Sequence, residues 1–170
     1  NLQISMNLSA IENVMTGAHL GLVSSVVAGM VGLGLGASDR ATRIRAAELM
    51  EFVGCGAYVG AEARSMPYGA LKRLEIARAL MARPRILFLD EPAAGLNHTE
   101  THEIEELIAE LGRAGITVVL VEHDMKLVMN VSNRIVVLDY GKKLAEGTPE
   151  EIRVNPDVVA AYLGAESEGV

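Results

Sequence analysis

In the second half of the chain, apolar residues occur either in continuous runs or at helical spacing. These two patterns alternate and predict alternating strands and helices. Continuous apolar runs are typical of strands buried in a sheet. The predicted strands are Ile86–Asp90, Ile116–Val121, Ile135–Leu138 and a short strand that ends at Gly147. Between the first two, apolar residues at helical spacing predict a helix near Thr99–Arg113. They are Ile104, Leu107, Ile108 and Leu111. This alternation predicts an α/β fold with a mostly parallel, buried sheet and flanking helices.

Helix start and stop signals dominate the rest of the chain. Ser9 and Glu12 have the spacing of a capping box, which predicts a helix from there to about His19. The other predicted helices are Arg40–Val53 with Asp39 as its cap, Gly69–Ala82, a short helix near Asp124–Val131, and two that begin at Pro149 and Pro156. Residues 54–65 are expected to form a loop, and Tyr140–Lys143 a turn.

The stretch Leu20–Ala37 is almost wholly apolar or glycine, and it is long enough to raise the question of a membrane span. Several glycines, two serines and the lack of flanking aromatic residues argue against one. We expect a packed helical segment or a docking surface here. A membrane-anchored protein that uses this stretch is the less favoured alternative.

Composition narrows the function classes further. With 170 residues, of which 50% are hydrophobic, the chain can form one domain or a large part of one. The net charge of −7 argues against a nucleic-acid partner. The single cysteine, Cys55, cannot form an intramolecular disulfide and is expected to be a small apolar filler in a cytoplasmic protein.

Candidate chemistry lies where the predicted strands end. Asp90 and Glu91 end a buried strand, at the edge where open α/β sheets bind ligands. Because successive strand residues face opposite ways, one carboxylate can hold Mg²⁺ while the other activates a water molecule. His123 follows the next strand and is positioned to contact a phosphate. Pro67 and Gly69 open a helix whose free N–H groups can bind an anion.

Other polar residues are assigned no role. Lys72, Arg73 and Arg78 share one helix, where a solvated basic face is favoured over a phosphate patch. His19, His98 and His102 are expected to be solvated.

Together these motifs resemble the ATP-binding subunits of ABC transporters, in particular the branched-chain (hydrophobic) amino-acid importer branch. The resemblance covers the whole chain, most securely from Met66 onward. The motifs that carry it are Met66–Leu80, Leu87–Asn97, Glu122–Met129 and Asn155–Gly164.

The resemblance implies a role for each matching residue. Asp90 corresponds to the Walker B metal ligand, Glu91 to the catalytic carboxylate and His123 to the switch histidine. The signature loop, which faces the γ-phosphate of the ATP held by the other subunit, corresponds to Met66, Pro67, Tyr68, Gly69 and Ala70. The D-loop at the dimer seam corresponds to Gly95, Leu96 and Asn97. The implied cofactors are ATP and Mg²⁺.

Three departures from the family pattern affect these expectations. Pro67 replaces the usual serine, so a hydroxyl contact with phosphate is lost. Ala70 replaces a glutamine or acid, which would weaken contacts with ATP. No G-x-x-x-x-G-K-[ST] loop occurs in the 170 residues, so we expect the C-terminal part of an ATPase that is inactive by itself.

The resemblance also implies an organisation and partners. Residues 1–65 would be a helical subdomain that docks on the membrane subunits, 66–147 the half of the core with the signature helix, Walker B and switch histidine, and 148–170 the C-terminal helices. Partners would be a second ATP-binding subunit, identical or related, and transmembrane permease subunits. The protein would lie in the cytoplasm, on the inner face of the membrane.

Two alternatives remain open. One is a non-catalytic interaction module with the same fold. The other is the ATPase of a related urea or lipopolysaccharide transporter.

Overall fold

The computed structural model describes residues 3–18 and 35–167, with side chains described for 3–18 and 39–161. Contacts divide the chain into two compact units, Asn1–Val121 and Glu122–Val170. The predicted division into functional regions at residues 65 and 147 remains a prediction.

Three helices form the N-terminal part of the first unit. They are α1 (Ala10–Thr16), α2 (Leu35–Phe52) and α3 (Tyr68–Leu80). Each packs against the other two, around the fully buried side chains of Ile11, Met50 and Leu74. The predicted capping box is confirmed: Ser9 Oγ accepts from the Glu12 N–H, and Glu12 Oε2 accepts from the Ser9 N–H.

The start of α2 differs from the prediction. Asp39 was expected to cap a helix that begins at Arg40, but the helix begins at Leu35 and includes Asp39 as its fifth residue. An acidic side chain is favourable near a helix N-terminus within the helix as well as at the cap, so Asp39 indicated the region but not the first residue. The predicted loop at 54–65 contains two short 3₁₀ turns, Gly56–Tyr58 and Ala63–Ser65.

A parallel pair of strands completes the first unit. Strand β1 (Ile86–Asp90) lies beside β2 (Thr117–Val121), with Ile86 opposite Thr117 and Asp90 opposite Val121. The connection is α4 (His98–Arg113), which packs against β2. The helical stripe predicted for α4 is confirmed, since Ile104, Leu107, Ile108 and Leu111 are all buried.

The α/β class is confirmed, but the sheet is less buried and less parallel than expected. Leu87 and Leu89 are buried, whereas Ile86 is 53% and Phe88 73% exposed. The apolar run therefore predicted the strand correctly, but the expectation that both faces of the strand are buried was wrong. In the described residues, strands pair as one parallel and one antiparallel pair.

The second unit contains that antiparallel pair and three helices. Its elements are α5 (Met125–Val131), β3 (Ile135–Asp139), β4 (Lys142–Gly147), α6 (Pro149–Arg153) and α7 (Pro156–Ser167). Strands β3 and β4 meet at the predicted turn, where Tyr140 and Gly141 both have positive φ. Ile135, Ala145, Ile152 and Val158 form the core of this unit.

Over the described parts of the chain, no helix is long and apolar enough to cross a bilayer. Most of the apolar stretch Leu20–Ala37 lies outside the described residues, as does His19.

Candidate functional site

The turn after β1 presents the predicted metal ligand, Asp90, and the predicted catalytic carboxylate, Glu91. Asp90 is the last residue of the strand, and both Asp90 and Glu91 are exposed. Glu91 has φ 44°, in the left-handed region that non-glycine residues rarely adopt. Its N–H donates to the Val121 carbonyl oxygen over 2.9 Å, which continues the bonding of β1 to β2. The sheet thus directs two adjacent carboxyl groups from its C-terminal edge.

The segment that follows turns sharply into α4. The Ala94 N–H donates to the Glu91 carbonyl oxygen over 3.2 Å, and Gly95 has φ 79°. Asn97 caps α4: its Oδ1 accepts from the N–H groups of Thr99 and Glu100, at 2.9 and 3.0 Å. Glu100 Oε2 in turn accepts from the Asn97 N–H, which makes a complete capping box. The predicted D-loop is therefore anchored at the start of a stable helix.

The predicted signature loop leads into α3. Pro67 is the N-cap and makes no side-chain hydrogen bond to the helix. Met66, Gly69 and Ala70 are buried, while Pro67 and Tyr68 are exposed. At positions 66 and 70, contacts with a phosphate would therefore come from the backbone. The side chain at position 70 points into the protein, so the alanine there removes little polar contact from the protein surface.

The predicted signature loop and the predicted D-loop lie close to each other within the first unit. A methyl group at Gly95 would lie 3.3 Å from Cε1 of Tyr68. A methyl group at Gly69 would lie 2.5 Å from Glu100 Oε1. Gly95 thus allows a close approach of the two loops, and Gly69 allows a close approach of α3 to the Glu100 side chain of α4.

The basic face predicted for α3 is not a solvated one. Arg73 forms an ion pair with Glu103, and its side chain is 14% exposed. Arg78 lies 3.8 Å from Glu75 and also donates to the Gln3 carbonyl oxygen. Lys72 Nζ donates to the carbonyl oxygen of Glu91 over 3.1 Å. The prediction was wrong because three of these partners, Gln3, Glu91 and Glu103, are distant in sequence and reach the helix only in the folded chain. His98 and His102 are exposed, as predicted.

Cys55 lies beneath the predicted signature loop. It is fully buried, as expected for a small apolar filler, and its Sγ donates to the Ala70 carbonyl oxygen over 3.3 Å. Burial raises the pKa of the Cys55 thiol above its ordinary value, an effect that the nearby Arg73 opposes. The thiol is a packing group and not a nucleophile.

His123 belongs to the second unit, and its predicted role as the switch histidine that contacts a phosphate remains a prediction. Its side chain is 77% exposed. The neighbouring Glu122 side chain is only 2% exposed and accepts from the N–H groups of His123 and Asp124, at 3.0 and 3.4 Å. Asp124 then caps α5 through the Lys126 and Leu127 N–H groups. The carboxylates of Glu122 and Asp124 thus order the backbone on either side of His123.

Within the described residues, no group of three or more His, Cys, Asp and Glu side chains is arranged to hold a metal ion. Mg²⁺ often takes only one or two protein carboxylates and completes its shell with water and substrate phosphates. Asp90, exposed at the strand end, is suited to that partial role.

Comparison with known proteins places the chain in a family. Residues 2–94 match the family described as ABC transporter, and residues 142–168 match the branched-chain amino acid ATP-binding cassette transporter family. The chain belongs to the ABC transporter family. The resemblance inferred from the motifs is therefore confirmed.

Two curated relatives illustrate the similarity. The chain is 46% identical to the high-affinity branched-chain amino acid transport ATP-binding protein BraF of Pseudomonas aeruginosa, over 96% of the chain. It is 44% identical to LivG of Salmonella typhimurium, of the same description, also over 96%. In both cases it spans 65% of the length of the relative.

Solved ABC cassettes share the fold. A nucleotide-free ATP-binding cassette from an ABC transporter aligns with a TM-score of 0.75 and 27% identity. The alignment covers 92% of this chain and 63% of that cassette. The partial ABC-type fold predicted from the sequence is confirmed at this level.

Proposed function

We propose that this ABC-family chain is part of the ATP-hydrolysing subunit of a transporter that imports branched-chain amino acids. The observation that carries the proposal is the pair Asp90–Glu91, exposed at the C-terminal end of β1 and held beside β2. Two exposed carboxylates at this position are available to a ligand, because α/β sheets bind ligands at the C-terminal ends of their strands.

The proposed chemistry assigns one task to each group. Asp90 binds Mg²⁺ together with phosphate oxygens, and the metal neutralises the charge of the phosphates. Glu91 orients the attacking water and accepts its proton. His123 contacts the γ-phosphate. The N–H groups at the start of α3, near Gly69, bind the phosphate held by the partner subunit.

The proposed assembly follows the family. A second ATP-binding subunit, identical or related, completes two ATP sites, and residues 1–65 dock on transmembrane permease subunits at the inner face of the membrane. No nucleic acid takes part. The names of BraF and LivG support branched-chain amino acids as the transported class.

The test uses the complete protein from its full reading frame, with Glu91→Gln as the variant. ATP hydrolysis should fall by about 10²-fold or more, while ATP is retained in a closed dimer. Glu106→Gln, a change of an exposed acid on α4, is the control and should hydrolyse ATP normally. Near-normal turnover in Glu91→Gln would remove Glu91 from its role. A complete wild-type protein that neither binds nor hydrolyses ATP would favour the interaction module.

The solute class needs a separate measurement. Uptake of labelled leucine into vesicles that contain the permease subunits should depend on ATP and on Glu91. Uptake of urea instead, with no uptake of leucine, would assign the chain to the related transporter branch.

A further inference from the structure

The backbone at Glu91 is held in its unusual conformation by contacts from three directions. Its N–H bonds to Val121 of β2 over 2.9 Å, and its carbonyl oxygen accepts from the Ala94 N–H over 3.2 Å. The same carbonyl accepts from Lys72 Nζ over 3.1 Å. A residue at φ 44° stays there only where its surroundings stabilise that conformation, so each contact helps to determine the direction of the Glu91 side chain.

Lys72 makes its contact from a different element. It lies on α3, nineteen positions before Glu91 in the sequence, and is half-buried. Its Nζ lies 5.8 Å from the ring centroid of Tyr68, within the range of a cation–π interaction. The ring of Tyr68 also lies close to Gly95, so the Lys72 and Tyr68 side chains together connect α3 with the turn after β1.

We propose that Lys72 is a positioning residue for the catalytic carboxylate of its own subunit. Its ammonium group holds the peptide group of Glu91, and thereby the direction of the side chain, without touching the nucleotide. This inference rests on the proposed function, in which Glu91 is the group that activates water. It also gives the signature helix a direct link to the adjacent catalytic turn.

The proposed role of Lys72 concerns the local geometry of the catalytic turn and not the stability of the whole fold. A single hydrogen bond from a partly exposed lysine contributes little to the free energy of unfolding. Its removal should therefore leave the melting temperature nearly unchanged and act on the local geometry of residues 90–97. A misplaced catalytic group can lower turnover severely, because positioning supplies much of the rate in phosphoryl transfer.

The experiment compares three variants of the complete protein. Lys72→Met keeps the apolar stem and removes the ammonium, Lys72→Arg restores a cationic donor, and Lys142→Met removes an exposed lysine of β4 as a control. Amide hydrogen exchange of residues 90–97 is measured without nucleotide. We expect exchange at Glu91 and Ala94 to be about ten-fold faster in Lys72→Met and unchanged in Lys142→Met.

Kinetics then test the catalytic consequence. In Lys72→Met, kcat should fall by about ten-fold while KM for Mg-ATP changes by less than about two-fold, and Lys72→Arg should recover most of the loss. Unchanged exchange at Glu91 and Ala94 would overturn the proposal, whatever the activity. So would a raised KM with unchanged kcat, which would make Lys72 a phosphate contact. If the wild type lacks ATPase activity, the proposed function fails, and exchange alone decides the positioning role.

Discussion

The ring of Tyr68 lies against Gly95, so closely that a methyl group on Gly95 would be 3.3 Å from Cε1 of the ring. The contact joins two loops that the family resemblance assigns to different tasks, the signature loop and the D-loop. Gly95 also has φ 79°, so its lack of a side chain serves both backbone conformation and packing.

Gly95→Ala should therefore destabilise the protein for two reasons. The left-handed conformation costs an alanine about 1 kcal/mol, and the contact with Tyr68 should add about 1 kcal/mol more. Gly115→Ala is the matched control, because Gly115 has φ 84° but open space around its α-carbon. Urea unfolding of both variants measures the difference in their free energies of unfolding. Equal losses in the two variants would show that the Tyr68 ring moves away from the new methyl group without destabilising the protein.

Gly69→Ala should disturb the start of α4 from a distance. The new methyl group would lie 2.5 Å from Glu100 Oε1 and 2.8 Å from its Cδ, while Glu100 is held by the N–H of Asn97. We expect a loss of about 1–3 kcal/mol in the free energy of unfolding.

A double-mutant cycle identifies the source of that loss. Gly69→Ala combined with Glu100→Ala should cost less than the sum of the two single changes, because the clash is gone. If the two losses in the free energy of unfolding simply add, the loss in Gly69→Ala arises within α3 and not from its contact with Glu100.

Asn97 is predicted to stabilise α4 as its N-cap. Asn97→Ala removes the acceptor for two N–H groups and should cost about 1 kcal/mol, whereas Asn97→Asp keeps the acceptor and should be nearly neutral. Thermal unfolding of the two variants is the measurement. An aspartate variant as unstable as the alanine variant would contradict the capping role.

Local patterns predicted the elements that carry the site. The spacing of Ile104, Leu107 and Leu111 predicted α4, and the apolar run before Asp90 predicted β1, because each depends on neighbours close in sequence. The first residue of α2 was missed, since the glycine-rich segment before it offers no sharp boundary.

Long-range contacts were not predictable in the same way. Lys72 and Glu91 are nineteen residues apart, and Arg73 and Glu103 thirty, so no local pattern indicates either pair. The left-handed conformation of Glu91 is likewise held by contacts with β2, Ala94 and Lys72, which composition does not reveal. The motifs thus located the site, and the contacts that order it came from the fold.

The exposed face of β1 predicts that the 170-residue chain associates in solution. Phe88 is 73% and Ile86 53% exposed, and the paired strand β2 presents Val119, opposite Phe88, and Val121, which are 39% and 59% exposed. Adjacent apolar side chains of this kind favour self-association. Phe88→Gln should lower the apparent mass in light scattering without reducing stability.

Leu87→Gln is the control on the opposite face of the same strand. Leu87 is 6% exposed, so the substitution should destabilise the fold by about 2 kcal/mol or more. A wild-type chain that is monomeric and melts cooperatively at neutral pH would contradict the predicted association.

The buried thiol of Cys55 predicts a loss of stability in alkaline solution. Burial raises the pKa of Cys55 in the folded protein above the ordinary value of 9.0, at which the thiol of the unfolded chain ionises. The contribution is fully present below pH 9.0, declines above it because the unfolded chain gains the thiolate first, and is lost once the pH has risen through the folded pKa.

The free energy of unfolding, measured in urea between pH 7 and 10.5, should therefore decline more steeply for the wild type than for Cys55→Ala. Over the same range, the native protein should react with a thiol reagent far more slowly than the unfolded protein, since only the thiolate reacts. Parallel stability curves for the two proteins would show that the thiol ionises equally in both states, and rapid alkylation of the native protein would show that Cys55 is accessible.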